Sequence, residues 1–257
     1  MCGIFGFISN IDNKISKHHL DIATKELFLR GPDNFGFFEE NINENYIYFG
    51  HQRLSVIDLK SNSNQPMFSN DKRYVIIFNG EIYNHIELRE HLKKNYNVYF
   101  KTSSDTETLL ILLLNEGIEN ALKKIDGMFA FSFLDRKTNK IYLCRDRIGE
   151  KPLYIHFNKN YFTFSSDIKS FKNLPKYNRE INNEAIQNFF YLNYIPCPYS
   201  IYKSTFKLPQ GSYLYIDLNN FEYFEYKNFN EIKSKNLKIN SYWTINDNKF
   251  YDKTGNI

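Results

Sequence analysis

Met1-Cys2-Gly3-Ile4-Phe5-Gly6 opens the chain, and the reading of these six residues governs the rest. A cysteine in second position becomes the N-terminal residue once the initiator methionine is removed, and removal requires a small side chain there. Thiol and α-amino group then share one residue. The amine titrates near ~7.7–8.0 and the thiol near ~8.5, so at neutral pH one can take the other's proton, directly or through a water. Loss of Met1 from the working protein is therefore expected. Ile4, Phe5, Phe7 and Ile8 form an apolar run of strand length, and Gly3 and Gly6 leave room for a close approach. A buried strand would hold the nucleophile firmly instead of leaving it on a frayed end. Taken alone, the same cysteine reads as an ordinary core residue.

Composition narrows the classes. A chain of 257 residues forms one large domain or two small ones and buries most of its unfolded surface without disulfides. Cys2, Cys144 and Cys197 are odd in number, far apart and without metal-ligand spacing, which suits a reducing cytoplasm. The net charge of +4 comes from 33 basic and 29 acidic side chains whose signs are interspersed. A nucleic-acid binder would cluster its basic residues on one face. The longest uninterrupted apolar run, Leu109 to Leu114, is far too short for a membrane span, and the N-terminal run lacks the flank of a signal peptide. The expectation is a cytoplasmic protein with neither nucleic acid nor membrane as partner.

Along the chain, Ile15 to Leu29 carries Leu20, Ile22, Ala23, Leu27 and Phe28 at helical spacing, and Arg30-Gly31-Pro32-Asp33 ends that helix. A strand over Tyr46 to Gly50 leads into His51-Gln52-Arg53-Leu54-Ser55-Val56-Ile57. Tyr74 to Phe78 forms another strand and runs into Asn79-Gly80-Glu81-Ile82-Tyr83-Asn84, where Asn-Gly signals a turn. Ile86, Leu88 and Leu92 then mark a helix. That strand-turn-helix join aims the turn's amides outward at a strand end. Ser104 with Glu107 reads as a capping box, with Asp105 the first helical residue and Gly117 the stop. Short strands follow over Met128–Leu134, Lys140–Cys144, Leu153–Phe157 and Tyr161–Phe164, then a helix over Asn183–Tyr191. Strands over Ser212–Asp217 and Glu222–Tyr226 close the folded part. Many strands, few long helices and little βαβ alternation predict an α+β layered sandwich.

Set side by side, Cys2-Gly3-Ile4-Phe5-Gly6, Arg30-Gly31-Pro32-Asp33, Arg53-Leu54-Ser55, Asn79-Gly80-Glu81-Ile82-Tyr83-Asn84 and Ser104-Asp105-Thr106-Glu107 resemble, in order, the motifs of class II glutamine amidotransferases. These are N-terminal-nucleophile hydrolases. Asn-Gly-Glu-Ile-Tyr-Asn, the run Arg145 to Tyr154 and Lys207-Leu208-Pro209-Gln210-Gly211 are similar to the glutaminase portion of glutamine-hydrolysing asparagine synthetases. The likeness runs from residue 2 to about Trp243. It implies a four-layer αββα sandwich over residues 1–228, with 229–257 as the domain's end and a linker toward a synthetase domain.

The resemblance also implies roles. Cys2 attacks the side-chain amide of glutamine to give a thioester, releasing ammonia and then glutamate. The Asn79 side chain and the Gly80 N–H form an oxyanion hole, Arg53 grips the α-carboxylate, and Glu81 with Asp105 receives the α-ammonium. Leu54, Ser55, Val56 and Ile57 complete the substrate pocket. No metal or cofactor is expected for this step; ATP and Mg²⁺ are expected only for the synthetase domain, whose Ser-Gly-Gly-x-Asp-Ser loop does not occur here. That domain, in cis or trans, would receive the ammonia, with its contact face near Pro196, Pro198 and Tyr199, and a homodimer is compatible. Leu29, Cys144 and Glu150 depart from the family pattern, as does Ser165-Ser166-Asp167. The competing readings are an amidotransferase with a sugar or phosphoribosyl acceptor, a proteasome-type peptidase and a non-catalytic binding module. Free glutamate released from glutamine separates the first reading from the last two.

Overall fold

Residues 1–232 and 236–245 are described by the structure, a computed structural model. Among the described residues twelve strands make two antiparallel sheets of six. The first contains β1 (Gly3–Asn10), β2 (Asn34–Ile42), β3 (Asn45–Arg53), β8 (Tyr154–Phe157), β9 (Tyr161–Ser165) and β10 (Thr205–Lys207), ordered β10-β8-β9-β1-β3-β2. The second contains β4 (Met67–Phe68), β5 (Tyr74–Ile82), β6 (Gly127–Asp135), β7 (Lys140–Arg145), β11 (Ser212–Asp217) and β12 (Leu237–Ser241), ordered β12-β11-β7-β6-β5-β4. The helices are α1 (Lys17–Lys25), α2 (His85–Tyr96), α3 (Asp105–Lys124) and α4 (Asn183–Leu192).

Period-two alternation sorts the strand side chains into layers. Ile4 and Ile8 of β1, Ile47 and Phe49 of β3, and Val75 and Ile77 of β5 meet in a core between the sheets. Their neighbours Phe5, Phe7, Tyr46 and Tyr48 face outward and pack with Leu20, Ala23 and Leu27 around α1. Ile76, Phe78 and Phe131 face the opposite way, against Leu88, Leu92, Leu109 and Leu113 of α2 and α3. Helix, sheet, sheet, helix is the expected αββα order. Extending the same alternation along each strand puts Cys2, Arg53 and Asn79 on the side facing the space between the sheets. The central strands therefore deliver three chemically distinct groups to one end of the sandwich.

Several local expectations need correction. Asn79-Gly80 is not a turn: β5 continues to Ile82, with Asn79 opposite Ala130 and Gly80 opposite Phe129. The reversal occurs afterwards, where the Tyr83 N–H donates to Asp126 C=O at 2.7 Å and Asn84 precedes α2. Pairing with a long neighbouring strand outweighed the local turn preference. The helix expected over Ile15 to Leu29 stops at Lys25, and Phe28–Arg30 tightens into a 3-10 turn that leaves Phe28 exposed while burying Leu27. Ser104 does cap α3, accepting from the Thr106 N–H at 3.1 Å. Glu107 makes no reciprocal capping bond; it binds the amides of Lys101 and Thr102 at 2.9 and 2.8 Å. Gly117, at φ 73°, breaks the helical path inside α3.

The strand expected over Glu222–Tyr226 forms no ladder, and β12 takes its place at the sheet edge. Ile232 and Leu237 are buried in the inter-sheet core, so the fold continues well past residue 228. Much of the linker expected after Trp243 lies outside the described residues. Pro196, Pro198 and Tyr199 are half-buried; the exposed apolar side chains lie just before them on α4, with Phe190 79% and Tyr191 86% exposed. Among the described residues no helix is long and apolar enough to cross a membrane.

Candidate active site

Cys2 sits one residue before β1, which pairs with β3 on one side and β9 on the other. The N–H of Ile4 donates to Ser166 Oγ at 3.1 Å, and the Ser166 N–H returns to Ile4 C=O at 2.9 Å. The first residues of the chain are thus tied into the sheet. Arg30 reaches back to donate from Nε to the Cys2 carbonyl at 3.2 Å. Asp33 accepts from the Ser55 N–H at 2.7 Å and donates its own N–H to Arg53 C=O at 2.9 Å. Arg30-Gly31-Pro32-Asp33 is therefore a brace between Cys2 and the end of β3.

A single cleft is lined by Cys2, Arg53, Leu54, Val56, Ile57, Asn79, Gly80, Glu81 and Asp105, all singled out from the sequence. Ser55, also singled out, is not among its walls; its N–H is bonded to Asp33. Met1, Gln65, Thr106, Met128 and Lys151 also line it and were not foreseen as site residues. Lys151 lay inside a motif already quoted for its resemblance, which was the one available signal for it. Its Nζ meets Met1 Sδ at 3.0 Å.

The thiol of Cys2 accepts from the Leu54 N–H at 3.3 Å and lies 3.6 Å from Leu54 C=O. Burial pushes this thiol above its ordinary value, against the opposing pull of the Leu54 amide, the N-terminal ammonium and Arg53. Burial also lowers the N-terminal amine, which in this structure belongs to Met1. An amine made less basic and a thiol made less acidic thus belong to two consecutive residues that line the cleft.

Arg53 is buried and donates from Nη1 to Lys60 C=O at 3.0 Å and Asn64 Oδ1 at 2.6 Å, and from Nη2 to Asp58 C=O. These acceptors are neutral, and Arg53 takes part in none of the ion pairs among the described residues. These bonds fix the orientation of the planar guanidinium of a residue that lines the cleft. Opposite in sign, Asp105 accepts from the Ile82 N–H at 3.1 Å, and burial raises its carboxyl above the usual range. The site thus offers the Arg53 guanidinium and, from Asp105 and Glu81, carboxylates.

Asn79 is fully buried, and neither its Oδ1 nor its Nδ2 has a partner. A buried orphan amide costs ~1–3 kcal/mol, so it marks a place where a bound molecule completes the bonding. The neighbouring amide is set by strand geometry. Phe129, opposite Gly80, commits its N–H to Asp146 Oδ2 at 3.2 Å and its C=O to the Asp146 N–H at 2.8 Å. Both lie on the β7 side, so the Gly80–Phe129 pair exchanges no ladder bonds and the Gly80 N–H points away from β6. Its same-side neighbours are occupied: the Phe78 N–H by Gln65 Oε1 at 2.6 Å, the Ile82 N–H by Asp105. A Cβ on Gly80 would come within 2.2 Å of Met128 O, so only glycine fits.

The motifs beyond the cleft serve as buttresses. Asp146 accepts the N–H groups of Phe129, Gly149, Glu150 and Lys151. Arg145 donates to the carbonyls of Gly149, Lys151 and Leu208, joining the run 145–154 to the run 207–211. No group of three or more His, Cys, Asp or Glu able to hold a metal occurs among the described residues. Of the departures from the family pattern, Leu29 and Glu150 face solvent and Cys144 is buried with Phe131 and Tyr213, all outside the cleft.

Residues 1–227 match the family described as the glutamine amidotransferase domain. The Bacillus subtilis protein named asparagine synthetase [glutamine-hydrolyzing] 1 is 37% identical over 93% of this chain and 38% of its own length. A relative from Methanocaldococcus jannaschii, provisionally named for the same activity, is 36% identical over 98% of this chain and 48% of its own. The chain spans half or less of the length of these relatives. Among solved structures, the glutamine phosphoribosylpyrophosphate amidotransferase of B. subtilis aligns over 94% of this chain and 49% of its own, with TM-score 0.64 and 16% identity. That similarity shows a shared fold.

Proposed function

The chain belongs to the glutamine amidotransferase domain family, and on that premise we propose that its cleft hydrolyses glutamine to glutamate and ammonia through Cys2. The observation that carries this reading is the orphaned amide of Asn79 beside the outward-facing Gly80 N–H, in the same cleft as the Cys2 thiol. Arg53 takes the α-carboxylate of glutamine, and Asp105 with Glu81 takes the α-ammonium, so the zwitterion is fixed at both charges. That leaves the side-chain amide to reach the thiol.

Removal of Met1 gives Cys2 the free amine. The amine takes the thiol proton, and Sγ attacks the amide carbon. The developing oxyanion receives hydrogen bonds from Asn79 Nδ2 and the Gly80 N–H. The carbon–nitrogen bond then breaks, the leaving nitrogen takes the proton from the amine, and a thioester remains on Cys2. Water adds to that thioester, glutamate leaves and the thiol is restored. No metal or cofactor enters either half of the reaction. Ammonia passes to an acceptor domain, in cis or trans, where ATP and Mg²⁺ would serve asparagine formation from aspartate.

The test supplies glutamine, aspartate, ATP and magnesium to the purified chain. The reading expects glutamate and free ammonia in equal amounts without asparagine, and no glutamate from the Cys2→Ala variant. Glutamate released equally by both proteins would refute it.

A further inference from the structure

We propose that His51 is a positioning residue for the oxyanion pair Asn79 and Gly80, an inference that rests on the glutamine-hydrolysing reading above. His51 lies on β3 opposite Ile4, two residues beyond Cys2 on the neighbouring strand. Alternation from Phe49 turns its ring toward the space between the sheets, where Nε2 sits 3.1 Å from the carbonyl oxygen of Phe78. Phe78 directly precedes Asn79 on β5, in the other sheet. One side chain therefore joins the nucleophile's sheet to the residue whose carbonyl carbon bonds the Asn79 nitrogen.

A carbonyl only accepts, so the ring carries its proton on Nε2 and donates. Nδ1 is buried with no partner, and His51 is completely buried. A neutral imidazole placed at that cost, with one nitrogen unsatisfied, is retained here for the bond made by the other. Gln65 completes the grip. Its Oε1 accepts from the Phe78 N–H at 2.6 Å and its Nε2 donates to Thr106 Oγ1 at 3.3 Å, beside Asp105 at the start of α3. The Phe78 residue is thus held at both its N–H and its C=O by side chains from two other elements. β4 covers only Val75 and Ile76, so no ladder bonds fix β5 on that side from Phe78 onward. His51 and Gln65 do so instead, and the direction of the Gly80 N–H and the Asn79 amide follows from that grip.

The experiment compares wild type, His51→Gln and His51→Leu for glutamine hydrolysis, and measures glutamine affinity in each after Cys2→Ala. A misplaced donor pair weakens transition-state binding while leaving the clamps on the amino-acid end intact. His51→Leu should lower kcat roughly a hundredfold, with glutamine affinity changed less than about threefold. Glutamine's amide nitrogen can stand near the imidazole Nε2 position, so His51→Gln should recover most of kcat. His156→Leu is the control: that histidine is also fully buried but bonds Ser204 C=O, far along the chain from the cleft residues. It should lose stability and keep kcat. Equal kcat in His51→Leu and wild type overturns the inference alone. So does a loss shared by His51→Gln, or one that His156→Leu reproduces at matched loss of melting temperature. A wild type that releases no glutamate overturns the proposed function and this inference with it.

Discussion

The Leu54 N–H donates to the sulfur of Cys2 at 3.3 Å, linking the proposed nucleophile to the residue that follows Arg53. That bond favours the thiolate, yet burial outweighs it and the thiol stays above its ordinary value. In protein that retains Met1, alkylation of Cys2 by iodoacetamide should be slow at neutral pH and climb through the alkaline range. Its midpoint should exceed the ~8.5 of a free cysteine. Cys144, fully buried, should react only on unfolding. A midpoint below that of free cysteine would contradict the balance described.

Asn79→Ala separates activity from stability. Loss of one oxyanion donor should lower kcat by ~10²–10³ with little change in KM. The same substitution removes two buried polar atoms that have no partner, so the melting temperature should hold or rise despite the smaller side chain. Calorimetry beside steady-state kinetics tests both halves. Unchanged kcat would take Asn79 out of the oxyanion hole.

Arg53→Lys should raise KM for glutamine at least roughly tenfold, because an ammonium cannot match the planar fork. A second effect follows from its bonds to Asp58 C=O, Lys60 C=O and Asn64. The loop over residues 58–64 should lose hydrogen-exchange protection. An unaltered loop would show that Arg53 does not hold it.

Two buried histidines give the fold an acid limb. Burial holds His51 and His156 down to about 4, below the ~6.5 of an exposed imidazole. The unfolded chain therefore binds more protons between those values, and stability falls as pH falls. Stability should be full above pH ~6.5 and decline toward pH ~4, by up to on the order of 3 kcal/mol per histidine. Urea unfolding across that range checks it, and His156→Leu should flatten the slope. A flat profile in the parent chain would contradict it.

How far the sequence carried the account differs between strands and loops. The layered sandwich was legible because Ile4, Ile8, Ile77 and Phe131 stand in runs with clear strand chemistry. Cys2, Arg53, Asn79 and Asp105 could be singled out because their residue types, in order, match one chemistry, and the fold brings all four to one cleft. β2 was missed because Asn34 to Ile42 mixes Phe, Gly, Glu and Asn without clean alternation at an open edge. Asn79-Gly80 was misread as a turn because local propensity knows nothing of β6 on the other side of the strand. Gln65 and Met128 come from segments with no catalytic signature, and only tertiary closure brings them to the cleft; Lys151 stood inside the quoted run 145–154 but was not singled out within it.

The central claim is a thioester on Cys2. Protein freed of Met1 should be mixed with glutamine, quenched in acid within the turnover time and digested for mass spectrometry. The account predicts an N-terminal peptide heavier by glutamine less ammonia, with the adduct on Cys2 and removable by hydroxylamine. Steady release of glutamate from an N-terminal peptide that never carries the adduct, and equal release from Cys2→Ala, would contradict it.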